Sequence, residues 1–337
     1  MKDMYTILPP LAPDYGGACE VMYELGGLVL IHDATGCTVN YVTFDEPRWY
    51  EKASMVYCSG LTEIDAVMGN DDVLIDKALK AADLLHPAFI AYVGSSVPMI
   101  VGTDFAGIAK ETEERSGIPA FGFDCSGIRS YTEGASDVLE ALVKRFCGEK
   151  TENKGTLVLG LLPMDDNGTE ESEKVRELFP DLRASLSFRC SLDDFRNAQN
   201  AEKIVVVSAS GMKAALYLHE TYGIPYTVGL PLAPCTKEHG SVLVIGEDVR
   251  AYSLAKALGN ASSLDLFSKE GFADHHTTDE EEIAKICSEY DNVIADPCFR
   301  PMVKGNFISM PSISVSGGIF KTELPATDVE AIAERLI

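Results

Sequence analysis

This chain of 337 residues has few basic residues, and that shortage excludes several classes of partner. It has 28 Lys and Arg against 52 Asp and Glu, which gives a formal net charge of −24. Such a chain cannot neutralise a row of phosphates, so we expect neither nucleic acid nor an anionic membrane surface as a partner. A partner with a basic docking patch would suit this charge, although a solvated acidic surface is the simpler explanation.

Long apolar segments are also missing. No run of about 18 apolar residues is present, which predicts that no helix spans a membrane. The first residues lead to Pro9 and Pro10 rather than to the apolar core of a signal peptide, so we expect a cytoplasmic protein.

Several familiar catalytic and nucleotide-binding motifs are absent. No P-loop with Lys followed by Ser or Thr is present, so we expect ATP hydrolysis on a partner rather than on this chain. No G-x-S-x-G nucleophile motif is present. Gly246, Glu247 and Asp248 follow a predicted strand, but no G-x-G-x-x-G continues from them, and their acidic groups would repel a pyrophosphate.

Cysteine is plentiful, at nine residues, but no two are spaced as C-x-x-C, which excludes the zinc-ribbon and ferredoxin patterns. In a cytosolic chain these cysteines favour free thiols or metal ligation over disulfides. Cys19, Cys37 and Cys58 lie in the first sixty residues, and Cys19 and Cys37 each follow a glycine-rich turn that would let the backbone approach a bound group. We interpret some of these thiolates as ligands of an iron–sulfur cluster; the alternative is that each is a small buried hydrophobic residue.

Short apolar runs alternate with helix patterns along the chain. The runs at 28–32, 88–93 and 120–123 predict buried strands, and 71–85 predicts a helix with one apolar side. This alternation predicts an α/β protein whose mostly parallel sheets are covered on both faces. We predict three Rossmann-like domains, at residues 1–150, 151–235 and 236–337.

Several motifs, taken in order, resemble the nitrogenase component 1 family. After a proline-rich lead-in come Gly-Ala-Cys at Cys19 and Asp-Ala-Thr-Gly-Cys at Cys37, and then Glu-Ile-Asp-Ala-Val-Met-Gly at 63–69. Residues 96–104 are similar to a stretch that usually reads Cys-Pro-x-x-x-Ile-Gly-Asp-Asp in the family. Residues 220–226 resemble a second-domain segment that ends in Tyr-Gly-x-Pro. The resemblance implies three Rossmann-like domains of the nitrogenase component 1 type.

The resemblance also implies two paired subunits with a cluster at their interface, and ATP-dependent electron delivery from a separate iron protein. By position, Cys19 and Cys37 match the first two cluster ligands, whereas Ser96 stands where the third is expected. Serine is a poor replacement for a soft thiolate. Cys58 and Cys125 are the candidates for the lost ligand. With them one chain would supply four thiolates to a [4Fe–4S] cluster, or a homodimer would share its ligands across the two-fold axis.

A docking face for the iron protein is implied in the same way. Met68 stands where the family often has an aromatic residue on the surface that meets the reductase. Gly69, Gly102 and Asp104 would mark the same face. The alternative is that Val67 and Met68 are core residues before a turn.

Nitrogen fixation itself is not expected. True nitrogenase needs a cysteine in the second domain and a histidine in the third, but Cys190 lies away from the expected place near Ser208, and residues 311–320 contain no histidine. We therefore expect a nitrogenase-like oxidoreductase component that accepts electrons from an iron protein through an iron–sulfur cluster. It would reduce a small molecule, such as a tetrapyrrole, in a cleft between domains. Two alternatives are a scaffold or carrier for metallocluster assembly and a structural homologue that has lost its cluster.

Overall fold

Every pairing between strands in the described part of the chain is parallel. The computed structural model describes residues 6–34, 41, 45–268, 270–321 and 324–337. The strands are β1 (Leu28–Ile31), β2 (Val56–Cys58), β3 (Ile90–Val93), β4 (Ala120–Phe123), β5 (Thr156–Leu159), β6 (Leu182–Leu186), β7 (Lys203–Val206), β8 (Tyr226–Val228), β9 (Val242–Gly246), β10 (Ala261–Asp265), β11 (His275–His276), β12 (Asn292–Ala295) and β13 (Asn306–Ser309).

The strands form three separate sheets. Sheet 1 has the order β2-β1-β3-β4, sheet 2 has the order β6-β5-β7-β8, and sheet 3 has the order β11-β10-β9-β12-β13. In each sheet the first strand in the chain lies inside the sheet, with later strands added on both sides, as in doubly wound α/β folds. The prediction of an α/β protein with three Rossmann-like units is confirmed.

Helices separate most of the strands. They are α1 (Asp14–Met22), α2 (Glu63–Met68), α3 (Asp71–Leu85), α4 (Ser96–Val101), α5 (Phe105–Ser116), α6 (Tyr131–Phe146), α7 (Thr169–Glu177), α8 (Leu192–Arg196), α9 (Met212–Tyr222), α10 (Asp248–Leu258), α11 (Glu280–Cys287), α12 (Ile313–Ser316) and α13 (Val329–Ala333). The central strands β1, β3, β5 and β12 are buried along their whole length, as expected where helices cover both faces of a parallel sheet.

Helix α1 packs very closely against α6, and glycine makes that approach possible. A Cβ atom on Gly17 would lie 2.0 Å from the carbonyl oxygen of Tyr131, and one on Gly134 would lie 1.9 Å from the carbonyl oxygen of Asp14. The expected glycine-rich turn before Cys19 is therefore wrong, because Gly16 and Gly17 lie inside α1. The small size of Gly17 allows the close packing of α1 against α6, and Gly17 does not form a turn.

The last helix, α13, is capped by Asp328, because its Oδ1 accepts a hydrogen bond from the Ala331 amide at 3.0 Å.

One hydrophobic core runs through all three sheets. It joins Val29 of sheet 1, Leu157 of sheet 2 and Leu243 of sheet 3, all fully buried. The strands of each sheet fall within one of the three predicted domain ranges, while the boundaries near residues 150 and 235 stay a prediction. Within the described ranges, none of the helices has the length and apolar character that a membrane crossing requires.

Candidate functional site

The carboxyl edge of sheet 1 gathers several of the residues that the sequence singled out. Strand β2 ends at Cys58, Ser96 follows β3, and Cys125 follows β4. The parallel register pairs Ile31 with Cys58 and Val93 with Phe123, so these strand ends lie side by side. Loops at the carboxyl ends of parallel strands are the usual place for ligands in such folds.

Cys19 approaches this region from α1 and is fully buried. Burial raises the pKa of the Cys19 thiol well above its usual range, and the nearby Cys125 and Glu46 add to the rise. A free Cys19 therefore remains protonated at neutral pH. A bound metal would have to supply the positive charge that makes the thiolate stable there.

Cys125 lies in a loop that is held against the start of α1 by Asp14. The buried Asp14 carboxylate accepts hydrogen bonds from the amides of Ser126 and Gly127, both at 2.7 Å. The same carboxylate accepts from Nε of Arg129 at 3.2 Å. Burial, followed by the charge of Asp14, raises the pKa of the Cys125 thiol. Asp14 thus fixes the two cysteine-bearing segments, α1 and the loop after β4, relative to each other.

Cys58 has a different environment. It is only half-buried, its Sγ donates to the carbonyl oxygen of Asp33 at 3.3 Å, and it accepts from the Gly60 amide at 3.4 Å. Nearby, Nδ1 of His32 is hydrogen-bonded to Ser59 Oγ at 2.8 Å. Burial lowers the pKa of His32, so the ring is neutral near pH 7.

Ser96, at the position where the third cysteine is expected, is exposed and hydrogen-bonded to a neighbouring loop. Its hydroxyl donates to the carbonyl oxygen of Ser126 at 3.0 Å, in the loop that carries Cys125. A Cβ atom on Gly127 would lie 2.6 Å from Ser96 Oγ, so the two loops are in close contact. Ser96 therefore supports the Cys125 loop.

Cys37 lies outside the described residues. In the part of the chain that the structure describes, no group of three or more His, Cys, Asp or Glu side chains has an arrangement that could hold a metal ion. Cys19 and Cys125 lie in one hydrophobic core, and Cys125 is near enough to add to the rise in the pKa of Cys19. The ligand set Cys19, Cys37, Cys58 and Cys125 stays a prediction.

A buried ion-pair network lies next to Cys19. The Arg48 guanidinium is 1% exposed and donates to Glu46 through Nε and Nη2, each at 2.8 Å. Its Nη2 also donates to the carbonyl oxygen of Glu20 at 2.7 Å, and its Nη1 donates to Glu24 at 3.3 Å. This network holds the turn at 47–50 against α1 and keeps water away from that side of the helix.

An exposed apolar surface adjoins the same edge of sheet 1, and we call it the docking patch. It is formed by the contacting helices α2 and α4. Ile64, Val67, Met68 and Ile100 are 71%, 79%, 68% and 77% exposed. The alternative of Val67 and Met68 as core residues is therefore wrong, because both side chains are mostly exposed in the described part of the chain. The members of the patch are Ile64, Val67, Met68, Met99, Ile100 and Val101.

The other predicted docking residues end or begin the helices of this patch. Gly69 ends α2 and Gly102 ends α4, both with positive φ, at 64° and 77°. Asp104 caps α5, because its Oδ1 accepts from the Gly107 amide at 2.9 Å. The patch is bordered by the acidic residues of the first turns of α2 and α3.

A large cleft lies where residues from all three predicted domains meet, and we call it the three-sheet cleft. Its volume is about 920 Å³. Tyr50, at 87% exposure, and Ile319, at 69%, stand in its wall. The charged residues of the wall are Glu46, Glu51, Glu170, Glu171, Lys174 and Lys321.

The sequence reasoning missed Asp165, Asp166 and Arg250. The two aspartates follow β5 at the carboxyl edge of sheet 2, and Arg250 comes from the first turn of α10. Nη2 of Arg250 donates to Oδ2 of Asp166 at 3.2 Å across the contact between sheets 2 and 3. The signal in the sequence was two adjacent acids in the loop that follows a buried strand, the region where ligands collect in parallel sheets.

Comparison with known proteins agrees with this architecture. Residues 15–234 match the family model for nitrogenase component 1 type oxidoreductases. In solved structures, the fold of "Nitrogenase Cp1 at pH 6.5" aligns with a TM-score of 0.71 at 13% identity, over 99% of this chain and 93% of that one. This structural likeness concerns the fold alone.

Curated relatives match over shorter segments. The nitrogenase molybdenum-iron protein alpha chain of Clostridium pasteurianum is 24% identical over 179 residues, 51% of this chain and 33% of the relative. Component CfbD of the Ni-sirohydrochlorin a,c-diamide reductive cyclase complex of Methanothermobacter thermautotrophicus is 31% identical over 127 residues, 35% of this chain and 32% of the relative. The iron-molybdenum cofactor biosynthesis protein NifE of Methanococcus maripaludis is 26% identical over 130 residues, 37% of this chain and 27% of the relative.

The matched segments span about a third of the length of these curated relatives. The family match is broader, since it covers more than half of this chain and includes sheets 1 and 2. The chain therefore belongs to the nitrogenase component 1 type oxidoreductase family.

Proposed function

We propose that this protein is the catalytic component of a nitrogenase-like two-component reductase. The observation that carries this proposal is the buried Cys19–Cys125 pair beside the exposed docking patch, in a chain of this family. A buried pair of soft ligands next to an unpartnered apolar surface suits a redox centre that exchanges electrons with a docked protein.

The donor chemistry fits an iron–sulfur cluster. Thiolates are the usual ligands of such clusters, and Cys19 and Cys125 are shielded from water. Cys37 and Cys58, or the same pair from a second subunit, would complete a set of four for a [4Fe–4S] cluster. When bound, the cluster would supply a one-electron relay between the docked reductase and the acceptor.

The chain's own residues prepare that site. Asp14 holds the Cys125 loop against α1 through its hydrogen bonds to two loop amides. Ser96 supports the same loop from the side of β3. The Arg48 network closes α1 off from water on the opposite side. Together these contacts would exclude solvent from the ligands and fix their spacing.

The docking patch would receive an ATP-dependent iron protein. Six exposed apolar residues on two short helices form its centre, and acidic first turns of α2 and α3 form its rim. An apolar centre with a charged rim is the usual anatomy of a protein interface. Met68, Gly69, Gly102 and Asp104 would lie within this interface, and a partner with a basic rim would match it.

The three-sheet cleft would hold the acceptor. Its volume of about 920 Å³ is large enough for a molecule of tetrapyrrole size, and family members include a component of a tetrapyrrole reductive cyclase complex. We propose a homodimer in the cytoplasm, with three domains divided near residues 150 and 235.

The alternative function is a scaffold or carrier for metallocluster assembly. The similarity to a cofactor biosynthesis protein favours it. A scaffold would bind a cluster and release it to an acceptor protein, whereas a reductase component would keep its cluster during turnover. Retention of iron after repeated reduction cycles would support the reductase.

The experiment that tests the proposal starts with anaerobic reconstitution of the full chain with iron and sulfide. We expect a brown protein whose reduced cluster is oxidised by a tetrapyrrole acceptor, and whose reduction is faster with iron protein and ATP. A colourless protein would overturn both cluster-bearing functions. A brown protein whose cluster does not respond to iron protein and ATP, and which donates iron to an apoprotein, would support the scaffold.

A further inference from the structure

A group of buried carboxyl groups lies between sheets 2 and 3, away from the cysteines. Asp166 is 4% exposed and Glu247 is 3% exposed, and both surround an Arg250 side chain that is 9% exposed. Oδ2 of Asp166 accepts from Ser172 Oγ at 2.7 Å and from Arg250 Nη2 at 3.2 Å. Oε2 of Glu247 accepts from the Arg250 amide at 3.0 Å.

A small cavity of about 60 Å³ opens within this group. Its charged lining residues are Asp165, Asp166, Glu171, Glu247 and Arg250, and most of the rest of its wall is apolar. Three buried polar atoms have no hydrogen-bond partner among the described residues: Oδ2 of Asp165, and Nε and Nη1 of Arg250. A volume of roughly 10–15 Å³ holds one water molecule, and buried water binds where several polar atoms lack partners. The cavity therefore has both the room and the donors and acceptors for bound water.

The charges of this group do not balance. Among the described residues, Arg250 is the cation that faces Asp165 and Asp166, while Tyr131, Glu171, Glu247 and Glu20 are the other titratable groups around them. Burial, only partly offset by Arg250, raises the pKa of Asp166 to about 7 and that of Asp165 to about 6. Glu171 adds to the rise at Asp166, and Tyr131 donates to Oδ1 of Asp165 at 2.5 Å, which favours the charged form of Asp165.

Glu171 connects this cavity with the three-sheet cleft, because its side chain lines both. Its two carboxylate oxygens accept from the amides of Asn167, at 3.0 Å, and Ala326, at 2.7 Å. The carboxylate is thus held in place between the cavity and the cleft. A carboxylate in such a position can take up a proton on one side and release it on the other.

We propose that Asp166 is a proton-loading group that exchanges protons with the three-sheet cleft through the cavity water and Glu171. The inference rests on the proposed function, which explains why protons are needed in the cleft. Reduction of an acceptor there consumes one proton for each electron that the reductase partner delivers. In each step the O–H bond of the Asp166 carboxyl breaks and the proton passes to the Glu171 carboxylate. The new O–H bond of Glu171 then breaks as a bond to hydrogen forms on the acceptor that has taken up the electron. A proton from bulk solvent, delivered through the cleft and Glu171, then reprotonates Asp166, so one solvent proton is consumed for each electron.

A purely structural role is the competing explanation. The Asp166–Arg250 ion pair joins sheet 2 to sheet 3, and breaking it would destabilise their contact without any proton transfer. The two roles differ in one measurable property. A structural ion pair stays charged across the neutral range, whereas a proton-loading group titrates within it and exchanges its proton with the cleft.

The test uses infrared difference spectra of the full chain with carbon-13 aspartate, which separates aspartic from glutamic carbonyl bands. We expect a protonated-aspartate band that titrates with a midpoint of about 7. Asp166→Asn and Asp166→Glu should both lower the amplitude of this band by the contribution of one carboxyl group, whereas the exposed control Asp193→Asn should keep the full amplitude. A remaining band is expected, because burial also raises the pKa of Asp45 to about 7 and that of Asp165 to about 6. The two variants at Asp166 guard against failure of either one to fold. An unchanged amplitude in both, or the absence of any such band in the unmodified chain, would overturn the assignment of Asp166.

The route is tested by a rapid pH jump. In the unmodified chain the band should appear within the mixing time, and in Glu171→Gln it should appear at least tenfold more slowly, because the amide cannot pass a proton. Equal rates would overturn the route through Glu171. These measurements need neither cluster nor acceptor, so a colourless protein with the expected titration would refute the proposed function and leave the proton-loading group intact.

Discussion

Two regions of the molecule bury titratable side chains: the carboxyl edge of sheet 1, with Cys19 and Cys125, and the contact between sheets 2 and 3, with Asp165 and Asp166. Burial raises the pKa in both regions, but the effect on the protonation state at neutral pH differs. Burial raises the pKa of Cys19 and Cys125 far above neutral, so both thiols stay protonated unless a metal binds. Burial raises the pKa of Asp165 and Asp166 only to about 6 and about 7. The first region should therefore respond to metal, and the second should respond to pH.

The cause of this difference lies in the ordinary acidity of the two groups and in their neighbours. A thiol starts at a pKa of 9.0 and a carboxyl at 3.8, so the same direction of shift carries the thiol away from neutral and the carboxyl towards it. Arg250 also limits the rise at the carboxyl groups. The titratable neighbours of Cys19 are Cys125 and Glu46, and both increase the rise in its pKa.

The largest expected effect is on the cysteine region. After anaerobic reconstitution, Cys19→Ala should lose essentially all visible cluster absorption and bound iron, because a buried soft ligand has no replacement. Cys147→Ala is the matched control, since Cys147 is partly buried but its Sγ donates to the Phe195 carbonyl oxygen at 3.4 Å, at the contact of α6 with α8. Equal absorption and iron content in both variants would remove Cys19 from the ligand set.

The next effect should come from Asp14→Ala. The change leaves two loop amides and the Arg129 guanidinium without their buried acceptor, so we expect a loss of about 2–4 kcal/mol in the free energy of unfolding. Urea unfolding of the chain before and after reconstitution measures it. Reconstituted Asp14→Ala should also hold less iron than the unmodified chain, and full iron content would show that Asp14 does not position the Cys125 loop for a ligand.

A smaller effect, confined to partner binding, should follow Met68→Asp. A charge in the centre of the docking patch should slow iron-protein-dependent reduction at least tenfold and leave thermal stability unchanged, because Met68 is 68% exposed. Leu84→Asp is a suitable control: Leu84 is 81% exposed near the end of α3, outside the patch. If the two variants lose the same fraction of the rate, the patch is not the docking surface.

The smallest effect should be the pH dependence of stability. The pKa values of Asp165 and Asp166 are raised on folding, so the protonated forms stabilise the folded chain at low pH, and this contribution is lost as pH rises through about 6 to about 7. We expect the melting temperature of the metal-free chain to fall by a few degrees between about pH 5 and about pH 8. Asp166→Asn should flatten this decline, whereas Asp193→Asn should leave its slope unchanged; a steeper decline in Asp166→Asn would contradict the sign.

The architecture was accessible from the sequence because it depends on local pattern. Continuous apolar runs such as 90–93 and 120–123 are typical of strands in a parallel sheet, and the structure has β3 and β4 there. β3 is fully buried, whereas β4 lies at the edge of sheet 1 and is mostly half-buried. The gathering of Cys58, Ser96 and Cys125 at one edge followed from their positions after successive strands. The helix through Gly16 and Gly17 did not follow from the sequence, because Gly17 packs against α6, which begins more than a hundred residues later.

The sequence by itself determined the α/β class, the parallel order of strands and helices, and the resemblance that the family match bears out, because each rests on short-range periodicity and ordered motifs. Only the tertiary structure decided which groups lose their water. It exposed Met68, buried Cys19 and Cys125 in one core, and set Asp166 beside Arg250 across two sheets. Burial results from the packing of segments that are distant in the sequence. In this protein burial chiefly determines whether a thiol stays protonated until a metal binds and whether a carboxyl group keeps its proton near neutral pH.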